Sequence, residues 1–439
     1  MSEEFPKIFE EALSESSEVE ISDWVKGAIE KARELVMSPY EDELSSTLIQ
    51  SAFDYAESGY CSSNMALAAA FDLFVTAQYY SNLTHKGWHY CPIGEPALFF
   101  PFTNACPRCT LNGKFYFEMA NKPESGSIGQ ATSRLLSVFL TQLFARMGRD
   151  FRVYRGFEPI DMLIYDEHKN VVLLAEIKAA PLATLPLVIP SDEMTESVNG
   201  EEPIPVSSHS PSDNPFLTSS ELFLFLPLRK EGNSSYRFVS LGKANTHDKG
   251  WAYQRINQIL ANDNEFFREY LDFWLEAFEA YKTNYRVVRR PEERLTISNT
   301  FWFTNACGQP YPRPSDWPLR KKGSGYESVS DGKTSVGMDR TDDIKKGIYQ
   351  VLKVGAESKP GQGQFQVKTA LISNIHAVRH YNEYLHSLED VVWLIDTSKK
   401  AKKVRDLPDD MDVYNLFDGI ISFTESHVRD EWLEANLHF

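Results

Sequence analysis

The stretch Glu158–Leu182, EPIDMLIYDEHKNVVLLAEIKAAPL, constrains the fold more tightly than any other part of the chain. Two apolar runs, Asp161–Tyr165 and Val171–Lys178, flank the polar turn Asp166–Asn170, which predicts an antiparallel hairpin. Side chains alternate along a strand, so Glu176 and Lys178 share one face. Closing the hairpin brings the Asp161 end of the first strand beside the Glu176 end of the second. Three charged groups therefore gather at one edge of an otherwise apolar hairpin. Two carboxylates and an ammonium among Leu and Val are costly unless they are paired or hold a metal.

Asp161 and Glu176 supply hard oxygen ligands of the kind Mg2+ takes, with waters completing an octahedron. A metal there would stabilise charge on a phosphate and acidify a bound water. Lys178 beside it would orient or deprotonate the nucleophile, or offset developing negative charge.

Pro159-Ile160-Asp161 and Glu176-Ile177-Lys178, separated by strand, turn and strand, make this region resemble the PD-(D/E)XK nuclease superfamily, and within it the type II restriction endonucleases. The resemblance spans about residues 125–290. It implies a restriction-endonuclease-like α/β (α+β) fold with a mixed sheet flanked by helices. It also implies an acidic pair binding Mg2+, a lysine assisting hydrolysis, and site-specific cleavage of double-stranded DNA by a homodimer, since a palindromic site mirrors two-fold symmetry. The helix before the hairpin often adds a polar active-site residue, usually Glu. Gln130 stands in that place here, and Ile160 is inserted between Pro159 and Asp161. A repair or recombination nuclease of the same fold, and a non-catalytic zinc-containing module that binds DNA or protein, are the other readings.

A second cluster lies in residues 81–121, which are rich in aromatics, Pro and Gly. Cys106-Pro107-Arg108-Cys109 followed by Gly113 has the shape of a zinc knuckle, because two thiolates at this spacing grip one tetrahedral ion. Cys91 is the expected third ligand and His89 the fourth, with His85 and Cys61 as alternatives. Five cysteines, an odd number, argue against a disulfide framework. The acidic start MSEEFPKIFEE is unlike a secretory or mitochondrial leader, and no run reaches the length of a membrane span. The expectation is a cytoplasmic protein, and the resemblance to restriction endonucleases implies a bacterium or archaeon as its source.

The rest of the chain predicts three parts: 1–124, helical with the cysteine knuckle; 125–290, the catalytic core; and 291–439, a C-terminal α/β region for DNA recognition or dimerisation. Helical periodicity marks 22–37, 41–57, 64–80, 125–148 and 250–285. The helix from Ser125 carries one polar stripe, Gln130, Arg134, Ser137 and Thr141. Residues 186–220 and 286–345 read as a loop and a linker. Strands are expected near 222–228, 236–241, 347–354, 365–372, 391–395 and 418–423, with a helix over 375–388 carrying His376, His380 and His386.

A net charge of −17 runs against nucleic-acid binding, unless an acidic surround focuses the field into a basic cleft. Local basic clusters are Arg289-Arg290, Arg320-Lys321-Lys322, and Lys399-Lys400 with Lys402-Lys403. Each alone reads as a solvated loop. The pentapeptide Phe102–Cys106 recurs as Phe303–Cys307 without matching surroundings, and so establishes no duplicated domain.

Overall fold

The computed structural model describes residues 23–82, 88–101, 103, 105–114, 116, 125–190, 195–196, 204–205, 220–230, 233–245, 247–284, 299–305, 336–339, 341–359, 365–378, 380–388, 392–394 and 413–439. In chain order the first half carries α1 (Asp23–Lys31), β1 (Arg33–Glu34), α2 (Pro39–Glu57), α3 (Ser63–Ser81), β2 (His89–Cys91), β3 (Leu98–Phe100), α4 (Pro107–Leu111), α5 (Ser125–Arg146), β4 (Arg152–Arg155), β5 (Met162–Asp166) and β6 (Val171–Ile177). The second half carries β7 (Leu187–Pro190), β8 (Thr195–Glu196), β9 (Ile204–Pro205), β10 (Leu222–Lys230), β11 (Asn233–Gly242), α6 (Trp251–Asn262), α7 (Phe266–Asn284), α8 (Thr341–Ser358), β12 (Gln366–Ser373), β13 (Val392–Leu394), β14 (Val413–Asn415), β15 (Gly419–Ser422), β16 (His427–Val428) and α9 (Glu431–Leu437). None of the described helices is long and apolar enough to cross a membrane.

The chain divides into two compact units, one of 1–37, 133–180 and 337–439, the other of 38–132 and 181–336. The first is built on a mixed sheet of order β1-β4-β5-β6-β12-β15-β16. β4, β5 and β6 form an antiparallel meander; β12 lies parallel to β6, and β15 parallel to β12. All seven residues of β6 are buried, as expected of a central strand covered on both faces. The β5–β6 turn closes on Asn170, which takes φ 51°, a left-handed conformation that Asn tolerates. Asp166 accepts from the Lys169 N–H at 3.2 Å within this turn, and from Trp432 Nε1 at 2.8 Å.

Helix α8 packs across β12 and β6 and against α1. Its Val354 joins a core with Ile29, Ala32, Leu163, Leu174 and Val367. At the far end of the helix, Lys359 forms a buried ion pair with Asp418, whose carboxylate also accepts from the Thr369 N–H at 2.7 Å. On α5 the polar stripe is taken up locally: Arg134 Nη2 donates to Val36 O at 3.0 Å, and Thr141 Oγ1 donates to Ser137 O at 2.8 Å.

The second unit combines helices α2, α3, α6 and α7 with an antiparallel sheet of order β11-β10-β7-β3-β2. Pro39 opens α2, and Ser38 with Glu41 completes a capping box. Buried within α3, Asp72 Oδ2 accepts from the Leu182 N–H (2.8 Å), the Ala183 N–H (3.0 Å) and Trp274 Nε1 (2.7 Å).

Several expectations change. The three contiguous parts 1–124, 125–290 and 291–439 are not the compact units, because β6 takes β12 as its neighbour and residues 181–336 fall in the other unit. The expected core therefore gives up everything after Ala180 and gains the C-terminal hundred residues. Residues 347–354, expected as a strand, lie inside α8, where Ile344, Ile348, Val351 and Gly355 follow helical spacing. The expected helix over 375–388 is a bend followed by short irregular turns, Tyr381–Leu385 and His386–Leu388. Leu187–Pro190, read as loop, is a buried strand. The three basic clusters, His85, Cys307 and most of 286–345 lie outside the described residues.

Candidate active site

Asp161, Glu176 and Lys178 meet at the end of the β5–β6 hairpin, as the alternation of side chains requires. The ladder is modified there. The Asp161 N–H donates to Ala175 O at 3.0 Å, but the next donor, the Ile177 N–H, is taken by Asp161 Oδ2 at 2.9 Å. The Asp161 carboxylate is thereby pinned against the backbone beside Glu176. Glu176 opposes Leu371 in the parallel ladder, and the Lys178 N–H extends that ladder to Ile372 O at 2.9 Å. The following turn is held by Asn374: the Ala180 N–H donates to its Oδ1 at 3.1 Å, and its Nδ2 donates to Ala180 O at 2.8 Å.

Glu176 is 4% exposed, and Lys178, at 18%, forms an ion pair with it through Oε1. Burial pushes the Glu176 carboxyl up from its ordinary value of 4.5 to about 8; repulsion from Asp161 adds to this, and Lys178 opposes it. A buried carboxyl beside a second carboxylate suits a divalent cation between Asp161 and Glu176.

The shift has a testable sign. Between about pH 4.5 and about pH 8 the folded metal-free chain holds a proton that the unfolded chain has released, so stability falls as pH rises through this window. In chelator, the stability advantage of Glu176→Gln over wild type should widen from pH 5 to pH 9, measured by denaturant unfolding. Parallel profiles would show that Glu176 is not perturbed.

Helix α8 supplies what the sequence reading missed. With its amide nitrogen turned toward the carboxylate, Gln350 donates to Glu176 Oε1 at 2.7 Å and to Lys346 O at 3.2 Å. Gly347 lets α8 pass over the lysine: a Cβ there would lie 3.0 Å from Leu371 Cδ1 and 3.3 Å from Lys178 Cγ. Gln130 is exposed near the start of α5, in a stretch that belongs to the other compact unit. The helical period of 344–355 was the signal for Gln350, masked by its β-branched residues.

In the second unit, Cys91 on β2 meets Cys106 and Cys109 of the knuckle, with all three sulfurs within 4.8 Å of one another and fully buried. Cys91 Sγ and Cys109 Sγ stand 3.6 Å apart. A tetrahedral ion with Zn–S bonds of about 2.3 Å has sulfurs about 3.8 Å apart, so the cluster fits a metal such as zinc. Hydrogen bonds from the Cys106 and Cys109 thiols hold the Cys91 thiol well down, while the bonds of Cys106 with Cys109 and then with Cys91, together with burial, push Cys106 up. Arg108, bonded to Ile93 O and Pro96 O, adds positive charge beside Cys91.

His89 is not among the gathered ligand atoms. Its ring lies 5.6 Å from Phe100, its Nε2 is buried without a hydrogen-bond partner, and burial lowers its pKa to about 4. Cys61 is half-buried and is not part of the cluster.

The chain matches no protein-family model, no curated protein and no solved structure.

Proposed function

We propose that this protein is a Mg2+-dependent endonuclease of the PD-(D/E)XK type, cutting double-stranded DNA at specific sites as a type II restriction enzyme does. The observation that carries the reading is the juxtaposition of Asp161, Glu176 and Lys178 at the C-terminal end of the central strand β6, with Glu176 buried beside a second carboxylate. The order helix, antiparallel meander, crossover helix and parallel strand (α5, β4–β6, α8, β12) supports a restriction-endonuclease-like core.

Asp161 and Glu176 would hold the metal. Bound there, Mg2+ would neutralise the scissile phosphate and lower the pKa of a water. Asp161 is fixed for this by the Ile177 N–H. Gln350 is a positioning residue that orients Glu176. The Lys178 ammonium aligns the attacking water and offsets negative charge as the P–O bond breaks. A homodimer would place one such site on each strand of the duplex.

The direct test is digestion of mixed phage and plasmid DNA by the purified protein in Mg2+ or in chelator. Discrete fragments that require Mg2+ are expected, and their ends would give the recognition sequence. Ragged degradation would favour a repair or recombination nuclease. Absence of cleavage would favour a zinc-containing binding module.

Gly347→Ala offers a subtler check. A helical Gly→Ala change gains roughly 1 kcal/mol, which offsets the crowding, so stability should stay within about 1 kcal/mol of wild type. Lys178 is displaced, and cleavage should fall on the order of tenfold. Unchanged cleavage would mean that the position of Lys178 is immaterial.

The cysteine cluster is proposed to hold structural Zn2+, with His89 as fourth ligand because it shares a strand face with Cys91 and its Nε2 has no partner. Cys106→Ser should lose one equivalent of zinc and lower the thermal midpoint by several degrees, measured by elemental analysis and calorimetry. Zinc content and midpoint equal to wild type would remove the assignment.

A further inference from the structure

A third group of metal-ligating side chains lies in the first unit and takes no part in the chemistry above. His376 follows the end of β12, Glu425 follows the end of β15, and His427 lies on β16. One ligand atom from each falls within 4.8 Å of the others. Glu425 Oε1 is 2.9 Å from His427 Nε2, and the Tyr381 hydroxyl is 3.0 Å from His427 Nδ1. His376 is 4% exposed, and neither of its ring nitrogens has a hydrogen-bond partner.

That last fact is the telling one. Every tautomer of imidazole carries a donor or an acceptor on each nitrogen, and leaving both unmade in the interior costs the full desolvation penalty. Packing alone does not require it, because Phe or Leu would fill the space. The backbone fixes the ring in place: the His376 N–H donates to Thr424 Oγ1 at 2.9 Å, tying the turn after β12 to the turn that carries Glu425. The ring itself lies 5.0 Å from the His427 ring and 4.7 Å from the Tyr381 ring.

We infer that His376, Glu425 and His427 form a binding site for a divalent transition-metal ion of the zinc class. Two imidazoles and one carboxylate are the donors such ions prefer, and three protein ligands leave a fourth position for water or another ligand. Tyr381 bonds the second ring nitrogen of His427 and orients the ligating one, as partners of metal-bound histidines commonly do.

The site has a consequence for the sheet. It joins the end of β12 to the β15–β16 hairpin. Asn374, two residues before His376, clamps Ala180 just beyond Lys178. A bound ion would brace the C-terminal ends of β12 and β15, beside the end of β6 that carries Glu176 and Lys178. The inference stands on its own donor set and does not depend on the nuclease reading.

The test is a cobalt(II) titration of the full-length, metal-stripped protein, followed by visible absorption. Thiolate ligation gives an intense near-ultraviolet charge-transfer band, whereas nitrogen and oxygen ligation gives only weak ligand-field bands. One equivalent without the thiolate band is expected, retained in Cys106→Ser and bound at least about tenfold more weakly in His376→Ala and Glu425→Gln. The Glu425 side chain is 57% exposed, so Glu425→Gln carries the test if His376→Ala fails to fold. If wild type shows only the thiolate-type equivalent, or if Glu425→Gln binds cobalt as wild type does, the site is refuted.

Discussion

Lys178→Ala should lower Mg2+-dependent DNA cleavage by about a thousandfold or more, equivalent to roughly 4 kcal/mol of transition-state stabilisation. The Lys178 ammonium pairs with Glu176, and it comes from the same strand face two residues on. The two partners should separate by measurement. Glu176→Gln removes a metal ligand, so Mg2+ binding and cleavage should both fail. Lys178→Ala removes a cation that competes for Glu176, so Mg2+ binding should persist or tighten while cleavage is lost. Isothermal titration with Mg2+ beside the cleavage assay distinguishes the two. The glutamines supply a further contrast. Gln350→Ala should cost on the order of tenfold through loss of its bond to Glu176, whereas Gln130→Ala, on an exposed position, should stay within about twofold. Cleavage unaffected in both Lys178→Ala and Glu176→Gln would end the catalytic assignment.

Asp72→Ala should be the most destabilising single change in the unit formed by 38–132 and 181–336. Its carboxylate is fully buried within α3 and accepts three N–H groups, from Leu182, Ala183 and Trp274. Truncation leaves those donors without an acceptor, at about 1 to 3 kcal/mol each before relaxation. A loss of about 3 kcal/mol or more is expected, which for a unit of this size lowers the thermal midpoint by roughly 6–12 °C. Asp72→Asn keeps one acceptor oxygen and should recover part of the loss. Calorimetry on the three proteins decides the matter. An alanine variant as stable as wild type would mean that these donors find other acceptors at no cost. Because Asp72 has no part in the proposed chemistry, this outcome is independent of the cleavage result.

The hairpin is the part of the fold most legible along the chain. Alternation, a polar turn with Asn170, and Glu-x-Lys spacing all act over a few residues, and they put Asp161, Glu176 and Lys178 together as expected. The cysteine knuckle was legible for the same reason, since a CxxC turn is local, and Cys91 joins Cys106 and Cys109 as expected. Residues 344–355 show how such reading fails. Ile348, Val351 and Val354 favour a strand by composition, but the helical spacing of the apolar positions and the acidic first turn at Asp342 and Asp343 prevail once that face is buried on the sheet. Read as a strand, the segment hides Gln350 and Gly347, and the sequence points to Gln130 on α5 instead.

The charged hairpin, the knuckle and most helices are written in the chain's local order, because turn chemistry and apolar period are set by neighbours a few residues away. Tertiary structure alone decided that β12 lies parallel to β6 after the whole of 181–336 has intervened. It alone decided that α8 lays Gln350 on Glu176 and that His376 meets Glu425 and His427. Those pairings depend on which buried surfaces find each other across long separations. A parallel neighbour, a crossover helix or a ligand set drawn from separate strands has no period or spacing by which the linear chain can announce it.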